Sequence, residues 1–124
     1  MGFREHLEAV VNAVDGSVAC SVMGFDGIAV DTYQPEARAE AAATLELNNA
    51  LVEYGNLLGQ IKNTAQTLKA GAISEFSVNS EKLLTIMRMV TLDYYVVLAL
   101  LPAGNYGKGR YALRLAAPRL AKEL

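Results

Sequence analysis

The sequence predicts an α+β domain: one five-stranded antiparallel sheet, a long helix on one face and the terminal helices on the other. Three observations carry this. Apolar residues recur at helical spacing from Pro35 to about Lys69, longer than a small domain's own core requires. Short alternating segments lie on both sides of that stretch. Each end of the chain reads as a further helix, and helices on both faces of one sheet are a stable way to bury these elements.

Phe3, Leu7, Val10, Val11 and Val14 mark one face of the first helix. Asp15-Gly16 ends it, glycine suiting a left-handed cap. Ser17 to Met23 alternates as a strand, predicted to set Val18, Cys20 and Val22 on one face. Gly24-Phe25-Asp26-Gly27 is a hairpin turn. Ile28 to Thr32 returns, placing Ile28 and Val30 together. Pro35 suits the start of a helix.

In the long segment Leu47, Leu51, Tyr54, Leu58, Ile61, Ala65 and Leu68 recur at spacings of four and three. They mark one face of a helix of roughly nine turns. A second stripe, Ala41, Leu45, Asn48, Val52, Gly55 and Gly59, lies about 100° round the cylinder. Two stripes imply two neighbours, the chain's own sheet and a second copy of the chain. Glu36 and Glu40 near the start, and Lys62 and Lys69 near the end, suit the macrodipole. Gly71 is the predicted stop.

Three strands follow. Ala72 to Asn79 places Phe76 and Val78 on one face. Lys82 to Thr91 sets Leu84, Ile86 and Val90 against Leu83, Met87 and Met89. Tyr94 to Leu101 is apolar on both faces, so it is a central strand. The final helix, about Gly107 to Leu124, is expected to point Tyr111, Leu115 and Leu120 inward and to be kinked or interrupted at Pro118.

At 124 residues and 52% hydrophobic content the chain, residues 1–124, makes one globular domain. A net charge of −2, with the 11 Lys and Arg dispersed, argues against nucleic acid. No apolar run reaches the roughly 20 residues of a membrane span, so no membrane insertion is expected. The N-terminus carries no apolar signal core. The single cysteine rules out an intrachain disulfide and fits a cytoplasmic location.

Catalytic signals are sparse. His6, the one histidine, falls on the polar side of the first helix beside Glu5, where a solvated role is the plain reading. Cys20 follows the apolar rhythm of a strand and reads as core. Glu36, Glu40, Glu46 and Glu53 read as a solvated helix side, not a metal cluster. Gly104 to Gly109 is glycine-rich and opens a helix, but lacks the Gly-Lys-Ser/Thr ending of a nucleotide loop. No catalytic, cofactor-binding or metal-binding residue is assigned, and no cofactor is expected. Interaction signals are stronger. Gly55 and Gly59 sit mid-helix, where each costs about 1 kcal/mol against alanine. They serve close packing on the chain's own sheet or close approach of a partner helix. Phe25 at a hairpin tip either meets a partner or folds back onto a helix.

The element order, with the hairpin Met23-Gly24-Phe25-Asp26-Gly27-Ile28, resembles the Roadblock / dynein light chain family. Tyr94-Tyr95-Val96-Val97-Leu98, a loop, and then Asn105-Tyr106-Gly107-Lys108-Gly109-Arg110 is similar to the family's last strand and its Asn-Leu-Gly-x-x-Arg opening of the final helix, with Tyr106 in place of leucine. Within the family the chain looks most like the bacterial gliding-polarity (Mgl) regulators. The resemblance implies a homodimer through the long helix and an adjacent edge strand. It also implies partnership with another Roadblock protein of the MglB kind or with a Ras-like GTPase, and a place at the cell poles. On this reading the chain is an adaptor without an active site. Its dimer surface would include Leu51, Gly55, Leu58, Gly59 and Phe76, and its partner surface Phe25, Asp26 and Ile28, with strand alternation able to bury Ile28. A direct GTPase-activating or GTPase-scaffolding protein and a small-ligand sensor are the rival readings.

Overall fold

The computed structural model describes residues 2–124. The elements run α1 (Phe3–Ala13), β1 (Ser17–Gly24), β2 (Ala29–Tyr33), a short 3-10 turn (Glu36–Arg38), α2 (Ala39–Thr44), α3 (Leu47–Thr67), β3 (Glu75–Asn79), β4 (Leu84–Met89), β5 (Tyr94–Leu100) and α4 (Tyr106–Ala121). The five strands form one antiparallel sheet in the order β2-β1-β5-β4-β3. β5 is central and buried along nearly its whole length, as its apolar run on both faces requires. β2 and β3 are the edges.

Side-chain alternation sorts two cores. On one face α1 and α4 cover Cys20, Val22, Ile86, Val96, Leu98 and Leu100 with Leu7, Val10, Leu113 and Leu120. On the other, α3 lays Leu47, Leu51 and Leu58 over Met23, Met87, Tyr95, Val97 and Ala99. The predicted split of the β4 strand holds on both sides. Val18 does not share a face with Cys20 and Val22. A register shift between Ser17 and Ala19 turns it into the α3-side core.

The long helix is broken. α2 stops at Thr44 and α3 begins at Leu47, with Glu46 in the left-handed region at φ 48. The cause is geometric. Ala42 and Leu47 are both buried in the same core, yet in a straight helix they would point about 140° apart. One left-handed residue, costing about 1–2 kcal/mol, lets both turn inward. The stripe through Ala41, Leu45 and Val52 is therefore not continuous. At the far end the helix caps on a left-handed Lys69 (φ 59), two residues before the predicted stop at Gly71, which is also left-handed (φ 90), and the Ala70 amide donates to the Ala65 carbonyl at 2.9 Å.

α4 also departs from expectation. Leu113, Ala116, Ala117 and Leu120 face inward, while Tyr111 and Leu115 are exposed. The helix continues through Pro118, which sits in its last turn. The glycine-rich stretch before α4 is a packed turn. Gly104 lies against the Asp15–Gly16 backbone, the Asn105 amide donates to the Asp15 carbonyl, and Asn105 Oδ1 accepts from the Lys108 amide at 3.1 Å.

Candidate functional site

The β1–β2 hairpin ends in a tight turn. The Gly27 amide donates to the Gly24 carbonyl, and Gly27 takes φ 86, which favours glycine. Asp26 Oδ1 accepts from the Ile28 amide at 3.0 Å, so its side chain shapes the turn while its carboxylate faces water. Phe25 folds back. Its ring meets Tyr95 at a centroid distance of 5.0 Å, and Lys62 Nζ lies 4.4 Å from its centre. Lys62 also donates to the Leu92 carbonyl at 2.8 Å, and the Phe25 amide donates to the Asp93 carbonyl. These bonds clamp the β1–β2 tip, the β4–β5 turn and α3 into one end of the molecule.

That end carries exposed apolar side chains. Ile28 is 67% exposed and Leu92 70%. Of the three residues expected at a partner surface, Asp26 and Ile28 are open to solvent and Phe25 is half-buried beneath them. Sequence reasoning missed Leu92 and Lys62, because their meeting with Phe25 spans distant parts of the chain.

The five residues expected at a dimer surface separate. Leu51 and Leu58 are buried on the chain's own sheet, and Phe76 is half-buried against the same core. Gly55 is a slot for Tyr95: a methyl there would overlap the Tyr95 hydroxyl, which reaches towards the Leu51 carbonyl. Burial first, and the nearby Asp26 carboxylate second, raise the Tyr95 pKa. Gly59 faces Phe25 with room for a methyl at ordinary contact, 3.5 Å. One flank of α3 (Val52, Gly59, Lys62) thus meets the two turns. At 100° per residue Leu57, Ile61 and Leu68 share the opposite flank, and all three are exposed. Ile61 and Leu68 belong to the same apolar stripe as the buried Leu51 and Leu58, yet they are 36% and 71% exposed. Phe76 and Met89 are half-buried against the same α3-side core, and β3 is an edge strand of the sheet.

Cys20 and His6 are both set in packed surroundings. Cys20 is buried, which pushes its thiol up to about 12. His6 is less solvated than expected: its Nε2 stands 3.7 Å from Glu123 Oε1 where α1 meets the end of α4. Among the described residues no three His, Cys, Asp or Glu side chains stand together to hold a metal ion, and no helix is long and apolar enough to cross a membrane.

No family model and no curated protein matches the chain. Solved structures do. The chain is 61% identical to MglC from Myxococcus xanthus over 100% of both chains, with a TM-score of 0.72. It shares its fold with the Roadblock/LC7 domain from Streptomyces avermitilis (TM-score 0.79, 8% identity, 98% of this chain and 97% of that one). The same holds for the gliding protein MglB from Thermus thermophilus (TM-score 0.77, 15% identity, 96% and 85%).

Proposed function

The chain belongs to the Roadblock/LC7 family, and on that premise we propose that it is a non-catalytic, homodimeric adaptor. It binds a second Roadblock protein of the MglB kind and thereby modulates a Ras-like GTPase of a polarity or gliding-motility system. The likeness to a gliding protein supports the setting. The observation that carries the reading is the apolar margin left open on the α3 face. Leu57, Ile61 and Leu68 line one flank of α3, and Ile28 and Leu92 stand at the end of the sheet. Exposed apolar side chains grouped in this way favour association.

The two groups divide the work. The α3 flank with Phe76 and the β3 edge takes the second copy, a helix-and-strand junction of two identical surfaces. Asp26, Ile28 and the end of the sheet take the other Roadblock protein, with Phe25 holding that end in shape. The test is capture of an MglB-type protein by the tagged chain, with GTPase turnover measured in parallel. An adaptor captures the Roadblock protein and leaves turnover by the isolated GTPase unchanged. Acceleration of turnover by this chain alone would make it a direct GTPase activator.

A further inference from the structure

A cleft of about 700 Å³ lies on the other face of the sheet, between α4 and the β3 edge. Strand register builds its floor. Glu75 pairs with Arg88 across β3 and β4, on the face that carries Ile86. α4 supplies the wall with Arg110, Tyr111, Arg114 and Leu115. Arg110 donates from Nε and Nη2 to the two Glu75 carboxylate oxygens, at 2.7 and 2.8 Å. That bidentate pair fixes one guanidinium and uses the only acid of the lining. Among the described residues Arg88 and Arg114 have no carboxylate within ion-pair distance. The lining therefore has two uncompensated positive charges, on a chain whose net charge is −2. Tyr111, 54% exposed, and Leu115, 45%, present apolar surface beside them.

We propose that this cleft binds an acidic segment of a partner protein, its carboxylates on Arg88 and Arg114 and an apolar side chain against Tyr111 and Leu115. Charge complementarity selects the occupant. Planar guanidiniums match carboxylates, and the apolar wall suits a peptide side chain. A nucleic-acid backbone would need a longer basic track than this single cleft. The site lies on the opposite face from the Phe25 core, so an acidic partner and a Roadblock partner can be held together. The inference does not rest on the dimer. A dimer joined at β3 would set two such clefts side by side.

The test is fluorescence anisotropy of a fluorescein-labelled Glu-Glu-Leu-Glu-Glu-Leu-Glu-Glu peptide with the full chain. Arg88→Gln with Arg114→Gln should weaken binding on the order of tenfold, and Tyr111→Ser should weaken it too. Lys69→Gln with Lys122→Gln, the same charge loss elsewhere, should leave it within about twofold. The Arg88/Arg114 pair should also keep its melting temperature and its capture of the Roadblock protein. Absence of peptide binding, or equal weakening by both pairs, overturns the proposal. So does arginine-dependent binding to phosphatidylserine vesicles in place of the peptide.

Discussion

The two faces of the sheet are finished differently. Under α1 and α4 the sheet's apolar side chains are covered, and the margin beyond α4 is dominated by charge, with Glu75, Arg88, Arg110 and Arg114 beside the exposed Tyr111 and Leu115. Under α3 one helix covers the middle of the sheet and leaves an apolar margin on its outer flank and at the end of the sheet. The lesson is that open ground on a small domain has a chemistry. A charged margin is at home in water and selects a partner by charge. An apolar margin gains by being covered, at roughly 25 cal/mol per Å² removed from water.

The sharpest test of that contrast lies within α3. Leu58, 1% exposed, faces the sheet, so Leu58→Glu buries an unpaired charge and should cost upward of about 4 kcal/mol. Circular dichroism should show loss of the cooperative melt. Ile61→Glu, three residues on and 36% exposed, should cost about 1–2 kcal/mol, well short of Leu58→Glu, and yet move sedimentation from dimer to monomer. Equal stability losses in the two variants would erase the distinction between the flanks.

The two glycines refine it. Gly55→Ala must displace the Tyr95 hydroxyl from a filled core, an overpacking cost of about 1–3 kcal/mol by urea unfolding. Gly59→Ala meets only ordinary contact with Phe25 and should instead stabilise by about 0.5–1 kcal/mol. A tolerated Gly55→Ala would mean that Tyr95 is not held as described. Phe25→Ala should cost about 1–2 kcal/mol, below the roughly 3–5 kcal/mol of a fully buried Phe, because its ring is half-covered. A neutral result in thermal melting would make Phe25 a pure contact residue.

The smallest effect is on the charged face. Arg4 holds Asp31 below its ordinary 3.8, and Arg110 holds Glu75 below its ordinary 4.5, in each case chiefly through side-chain hydrogen bonds. A lowered carboxylate pKa adds stability that is fully present above the ordinary value and lost as pH falls through the folded one. Stability should therefore begin to drop near pH 4.5 and continue to fall below 3.8. Each ion pair is exposed on its arginine side, so solvent screens its contribution. Asp31→Asn with Glu75→Gln should flatten that part of the melting-temperature profile.

What the sequence made legible follows period and burial. β5 reads as central because both its faces are apolar, and β4 reads as a two-faced strand because Leu84 and Ile86 alternate with Leu83 and Met87. The break at Glu46 was hidden, since no glycine or proline marks it and the apolar repeat runs through it. It arises from Ala42 and Leu47 competing for one sheet. The roles of Gly55 and Phe25 were hidden for another reason. Tyr95, which fills the slot at Gly55 and stacks on Phe25, lies far away in sequence, and periodicity says nothing of such meetings. Tyr111 and Leu115 stand four apart and suit an inward stripe in the sequence, whereas α4 turns Leu113 and Ala116 to the sheet.

The adaptor reading is tested most directly by calorimetric titration of an MglB-type Roadblock protein into the wild-type chain and into Ile28→Glu. Ile28 is 67% exposed, so the variant should melt like the wild type. The account predicts that the wild type binds and that Ile28→Glu loses at least tenfold in affinity, about 1.4 kcal/mol, with its own dimer intact. Unchanged affinity in a folded Ile28→Glu chain would contradict a partner surface at this end of the sheet.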